Sequence, residues 1–249
     1  MKLKDKVAII TGSSRGIGKA TALLFTKEGA KVVINCKQDV TRGQQVVDEI
    51  TRSGGKAILV QADISKEEDV KELFQRAVAE FKTVDILVNN AGIVEEKDLL
   101  DLTVGDWEKT LRTNLIGPFL CSQEAAKIML AKKGGRIVNV SSIRALEHCA
   151  RDAVMDYSAS KAALTNMTKS MARRLAPNIT VNAVLPGWTL TEMNQDLDED
   201  FREQMVRITP IKRFVEPEEV AEAILYLVTA DAVTGETLVV DGGINLNSG

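Results

Sequence analysis

Along the chain, short runs that are apolar at successive positions alternate with longer segments in which apolar residues recur every three or four places. The runs VAIIT (7–11), KVVIN (31–35), AILVQ (57–61), DILVN (85–89), RIVNVS (136–141), ITVNAVL (179–185) and TLVVD (237–241) read as strands covered on both faces. The segments between them predict helices at about 16–28, 41–53, 66–81, 103–132, 155–176 and 217–228. Strands buried on both faces and separated by helices make an α/β fold. The expected form is a Rossmann-type, doubly wound parallel sheet of about seven strands with helices on both faces.

No linker rich in Pro, Gly or Ser, no low-complexity tract and no internal repeat divides the 249 residues, so a single domain over 1–249 is expected. One stretch, about 186–216, leaves the alternation. Its TEMNQDLDEDFREQMVRITP is acidic and weakly periodic. An insertion at the carboxyl end of a strand in an α/β enzyme is a candidate substrate lid.

Composition removes several classes of function. Hydrophobic residues at 45% and charged residues at 27% suit a soluble globular protein. A net charge of -3 with 4% aromatic residues leaves neither a basic stripe nor stacking platforms for nucleic acid. The apolar run after MKLKDK is too short for a signal peptide core, and no run approaches a membrane span. Cys36, Cys121 and Cys149 are odd in number and share no metal-like spacing, which fits reduced thiols and a cytoplasmic location. His148 is the only histidine, and with Cys149 it makes no metal site, so none is expected.

Two stretches carry candidate chemistry. Directly after the first strand, TGSSRGIG sets Gly12, Gly16 and Gly18 at the start of a helix. Glycines there let the chain turn sharply and let backbone approach a pyrophosphate on the helix N-terminus. Later, YSASK opens a helix with Tyr157 and Lys161 four residues apart. At that spacing the phenol oxygen and the ammonium address one small volume.

With NNAG (89–92), these motifs resemble the short-chain dehydrogenase/reductase family over essentially the whole chain. Further matches are DI at Asp63 and Ile64, TNLIGPF around Asn114, VNVSS ending at Ser142, VNAVLPGW around Pro186 and Gly187, and VTGETLVVDGG near the end. The resemblance implies four catalytic residues. Tyr157 passes a proton to or from the substrate oxygen as hydride moves, and Lys161 lowers its pKa and holds the cofactor ribose. Ser142 donates to the carbonyl oxygen, and Asn114 holds a water that relays protons to the lysine. Alignment of VNVSS favours Ser142 over Ser141, and GP at Gly117 and Pro118 is expected to kink the helix carrying Asn114. Ser142 and Tyr157 lie about two residues further apart than in close relatives, so the loop 143–156 is enlarged. Its Arg144, His148, Arg151 and Asp152 are candidates for touching substrate, with a solvated loop residue the favoured reading of each.

The same resemblance implies the cofactor contacts. Gly12, Ser14, Arg15, Gly16, Ile17 and Gly18 would cradle the phosphates, and Asp63 and Ile64 would lie beside the adenine. Asn90, Ala91 and Gly92, with Tyr157 and Lys161, would line the ribose and nicotinamide, and Pro186, Gly187, Thr189 and Thr191 the carboxamide and phosphates. An acid at the end of the second strand pairs with the 2'-hydroxyl of NAD. Here Cys36 and Lys37 stand there, and Arg15 adds a cation, so NADP(H) is expected; Asp39 is the competing acid.

Within the family the pattern looks most like 3-oxoacyl-[acyl-carrier-protein] reductases, with a sugar or polyol dehydrogenase as the alternative. Lys133, Arg173 and Lys132 would then face an acidic acyl carrier protein. The resemblance also implies a homotetramer packed through the helices at 103–132 and 155–176, where Ala159, Ala162 and Ala163 either permit close approach or face the chain's own sheet. A non-catalytic dinucleotide sensor is the reading of a different class.

Overall fold

A computed structural model describes residues 1–192 and 197–247. Seven strands form one sheet: β1 (Val7–Ile10), β2 (Lys31–Cys36), β3 (Lys56–Gln61), β4 (Ile86–Asn89), β5 (Gly135–Val140), β6 (Ile179–Pro186) and β7 (Thr237–Val240). Their order is β3-β2-β1-β4-β5-β6-β7, and every neighbouring pair is parallel. The order reverses direction after β1, so the connections leaving β1 and β4 run to opposite sides and leave a crevice at the carboxyl ends of the two strands.

Helices cover both faces. On one side α1 (Gly16–Lys27), α2 (Val40–Arg52) and α8 (Pro217–Thr229) bury Phe25, Val46, Ile50, Val220, Ile224 and Leu227 against the sheet. On the other, α3 (Glu67–Phe81), α5 (Gly117–Ala131) and α6 (Met155–Leu175) cover Ile9, Val33, Leu87, Ile137 and Val181. Strands β1 and β4 are buried at every position, which is why their sequences read as continuous apolar runs.

Two segments differ from expectation. The helix expected over 103–132 is α4 (Val104–Leu111), a π turn (Arg112–Ile116) and α5, running on without a break. Pro118 enters within the first turn of α5, where its missing N–H matters little, and the wide turn absorbs the disturbance before it. The weakly periodic acidic stretch contains α7 (Glu199–Ile208), started by Asp198, whose side chain accepts from the Phe201 N–H at 3.2 Å. Thr189 and Val215 bridge in parallel and close the excursion at its base. Part of the lid segment, 193–196, lies outside the described residues. No helix among the described residues is long and apolar enough to cross a membrane.

Candidate active site

A cavity of about 770 Å³ opens at the carboxyl ends of the strands. The turn after β1 forms its floor. Gly12 and Gly16 adopt φ of +62° and +53°, a region costly for any residue with a Cβ. Ala91 closes on Gly12, where a Cβ would stand 2.9 Å from the Ala91 Cα. Thr11 Oγ1 accepts from the Asn90 and Ala91 N–H groups at 3.0 and 3.1 Å, joining the β1 turn to the β4 turn.

Helix α1 begins at this turn with no side-chain cap and no acid in its first turn. Its leading N–H groups therefore keep their capacity for an anion. The uncapped helix, the tight glycine turn and the cavity above them fit the pyrophosphate of a dinucleotide.

The expected cofactor residues line this cavity with one exception. Gly18 lies beneath it, where a Cβ would stand 2.5 Å from the Asn90 Nδ2 and 2.6 Å from the Gly12 carbonyl oxygen. Its role is close contact between helix and turn. At the far end of the cavity, Lys37 pairs with Asp63 at 2.8 Å. Burial pushes the Asp63 carboxyl up, but Lys37 and the Ser65 hydroxyl and amide outweigh it and hold the pKa below the usual range. Asp39 caps α2 through the Arg42 N–H and pairs with the Arg42 guanidinium at 3.2 Å, so the competing acid is already engaged.

The two serines after β5 separate cleanly. Ser141 Oγ turns into α6, contacting the Lys161 carbonyl at 3.0 Å and Thr165 Oγ1 at 2.8 Å. Ser142 Oγ accepts from the Arg144 N–H at 3.2 Å and lies near the Tyr157 phenol on the cavity wall. Burial raises the phenol pKa, while the Ser142 hydroxyl and the Arg144 charge act against it. Lys161 Nζ lies 5.6 Å from the centre of the tyrosine ring and donates to the Val140 carbonyl at 2.8 Å. Burial alone lowers its pKa to about 8. Lys161 thus shares the face of Tyr157 as the spacing predicts. The charge opposing burial at the phenol comes from Arg144, however, which the sequence reading did not anticipate.

Asn114 is fully buried in the π turn and does not line the cavity. Its Oδ1 accepts from the Ile93 N–H at 2.9 Å, and its Nδ2 donates to the Ile93 carbonyl at 2.8 Å and to Ser160 Oγ at 3.2 Å. The side chain thereby ties the strand-end loop after β4 to α6.

The enlarged loop corrects the sequence reading. It forms three short 3-10 turns, Ile143–Ala145, Glu147–Cys149 and Asp152–Val154. Arg144 and Arg151 line the cavity rather than facing solvent, whereas His148 and Asp152 are exposed as expected. Arg144 stacks over Trp188, with its guanidinium carbon 5.7 Å from the ring, and Arg151 lies 5.3 Å over Phe201. Trp188 itself meets Phe201 edge-on and stacks on Phe214. Sequence reasoning missed Trp188 as a wall, although a tryptophan directly after the PG turn that ends β6 was a usable signal.

Lys132, Lys133 and Arg173 stand at the carboxyl ends of α5 and α6. Helices between parallel strands return the chain to the amino edge of the sheet, so in one chain these residues lie opposite the cavity. Lys132 is also paired with Asp85.

Comparisons with known proteins agree with this geometry. A family model described as enoyl-(acyl carrier protein) reductase matches residues 12–245. A 3-oxoacyl-[acyl-carrier-protein] reductase of Synechocystis is 42% identical over 246 residues, covering 97% of this chain and 98% of that protein. Among solved structures, a 7α-hydroxysteroid dehydrogenase complexed with NADH and 7-oxo glycochenodeoxycholic acid superposes with a TM-score of 0.93 at 35% identity, over 97% of this chain and 94% of that one. A short chain dehydrogenase from Burkholderia cenocepacia J2315 in complex with NADP gives 0.91 at 37%, over 98% and 100%. The chain belongs to the short-chain dehydrogenase/reductase family, oxidoreductases that use a nicotinamide cofactor to interconvert CH–OH and C=O.

Proposed function

We propose that the protein is an NADP(H)-dependent reductase of 3-oxoacyl thioesters. The observation that carries this reading is the convergence of Ser142, Tyr157 and Lys161 at the end of β5, in the same cavity as the glycine turn. A bound nicotinamide supplies the hydride. Ser142, already accepting from the Arg144 N–H, has its own hydrogen free to donate to the substrate carbonyl oxygen, where negative charge develops. Tyr157, kept protonated at neutral pH by burial, gives its proton to that oxygen. Lys161 holds the cofactor ribose and supports the phenolate left behind. Asn114 positions the loop at Ile93. The relay water that the family resemblance implies would sit between Asn114 and Lys161, both of which lie beside Gly92.

The choice of NADP rests on Arg15, exposed at the cavity edge with no ion-pair partner among the described residues, and on Lys37. A 2'-phosphate would draw Lys37 from Asp63. With Asp39 engaged by Arg42, no acid is left to favour NAD at the end of β2. The segment at about 186–216 is the candidate lid, and it would close through Trp188 and Phe201. A carrier protein docked at Lys133 and Arg173 would reach the cavity only across a subunit boundary, which accords with the tetramer proposed here. Three buried, unpaired cysteines suit a reducing cytoplasm.

Initial rates of NADPH and NADH oxidation with an acetoacetyl thioester test the reading. NADPH should be clearly preferred, and Tyr157→Phe should lose at least about a hundredfold in rate while still binding cofactor. A Tyr157→Phe protein as active as the native one would identify a site that does not use the phenol. Cofactor binding without turnover of any carbonyl would leave the sensor.

A further inference from the structure

Among the described residues, Arg144 has no ion-pair partner. Its guanidinium lies on the cavity wall close to Ser142 and Tyr157, and the hydrogen bond it makes among those residues runs from Nη1 to the Cys149 carbonyl at 2.9 Å. A guanidinium has five N–H donors, so most of its capacity is unused. The nearby acid, Glu96, is held by Arg151 at 2.5 Å. Two cations facing one carboxylate leave net positive charge at this end of the cavity. Burial, then the repulsion of Arg151, press the Arg144 pKa down, as expected of a cation placed without a partner.

Such a placement is costly unless something compensates it. The wall residues Ile143, Val154 and Trp188 are apolar or aromatic, and Glu96 is already shared with Arg151. The indole face beneath the guanidinium attracts it as a cation, and the guanidinium fork matches the two oxygens of a carboxylate.

We infer that Arg144 is the binding residue for a substrate carboxylate, so that the cavity takes short oxo acids and hydroxy acids in preference to neutral carbonyl compounds. The inference rests on the reading above for the position of the reacting carbonyl at Ser142 and Tyr157. It keeps that reading's chemistry and changes the substrate class: a 3-oxo acid presents the same carbonyl as a 3-oxoacyl thioester, with a carboxylate in place of the thioester. Reduction then consumes the carbonyl, one hydride and the Tyr157 proton to give the hydroxy acid, and the carboxylate is unchanged.

The test compares acetoacetate with ethyl acetoacetate, and 4-oxopentanoate with its ethyl ester, in native, Arg144→Gln and Arg144→Lys proteins. The native protein should show the higher kcat/KM for at least one acid over its ester. That acid-to-ester ratio should fall about ten- to hundredfold in Arg144→Gln, the loss expected for charge-assisted bonds, and recover in part in Arg144→Lys. Cofactor affinity of each variant controls for folding. A native preference for both esters, or a ratio unmoved by Arg144→Gln, overturns the inference and leaves the reductase reading intact. If none of the compounds is reduced, calorimetric titration of acetoacetate into the NADP-saturated protein decides. Binding by the native and Tyr157→Phe proteins that is lost in Arg144→Gln supports the carboxylate site even as the reductase reading fails. Absent binding, or equal binding in all three, overturns it.

Discussion

Lys161 carries its ammonium at 4% exposure with no carboxylate beside it among the described residues, and this isolation has a measurable consequence. Its pKa of about 8 lies below the ordinary 10.5. Below pH 8 the folded protein bears the full cost of a buried charge. Above 10.5 neither folded nor unfolded chain is charged, so the cost fades as pH rises between the two values. The gap corresponds to roughly 3 kcal/mol, from which the lost bond to Val140 subtracts about 1 kcal/mol. Lys161→Met is therefore expected to raise the unfolding free energy at pH 7 by about 1–3 kcal/mol, with a smaller gain at pH 10, while abolishing turnover. Urea denaturation at the two pH values checks this, and a variant less stable at pH 7 would contradict it. Activity carries the same signature: kcat/KM for reduction should fall as pH rises through about 8, where the lysine loses its charge.

At the scale of elements, the join between the β1 turn and α1 leaves no spare volume. Gly18 has ordinary helical backbone, and alanine there gains about 1 kcal/mol in helix propensity. Contacts of 2.5, 2.6 and 2.8 Å with Asn90 Nδ2, the Gly12 carbonyl and the Ser13 Cα oppose that gain. Two of these are backbone atoms, so the clash should win. Gly18→Ala is expected to lose about 1–2 kcal/mol of stability and at least tenfold in cofactor affinity. Gly134→Ala, with nothing within 4 Å, should be neutral or slightly stabilising. Denaturant midpoints and cofactor titration of both variants distinguish the cases, and equal stabilities would show that the α1 join yields. Elements were also where sequence reading was least complete. Pro118 announced a disturbance in 103–132, but only tertiary contacts decided on a π turn, because Asn114 must reach both Ile93 and Ser160. Helix α7 escaped notice since it buries no residue fully and is held by Phe201 against Trp188.

For the whole molecule, the outer stripe of α6 bears on assembly. Ala159 and Ala162 are exposed, not turned to the chain's own sheet, and exposed Val104 and Phe119 lie on α4 and α5. Small residues permit close helix approach, and exposed apolar side chains gain from being covered. In the tetramer proposed here, Ala162→Arg should shift the mass seen by light scattering towards smaller species. A native chain that runs as a monomer would end the proposal.

The sequence by itself determined the sheet and the centre of the site, for reasons of chain-local physics. Runs buried on both faces must be inner strands, glycines with positive φ must make the turn, and Tyr157 and Lys161 four residues apart on one helix must share a face. Tertiary structure decided what depends on neighbours distant in the chain. It turned Ser141 inward and Ser142 outward, buried the Asn114 side chain beneath Ile93, and paired Lys37 with Asp63. It also moved Arg144 and Arg151 from solvent to the cavity wall. Whether a loop arginine is solvated depends on the aromatic surface beneath it, and Trp188 and Phe201 come from a segment more than thirty residues away in the chain.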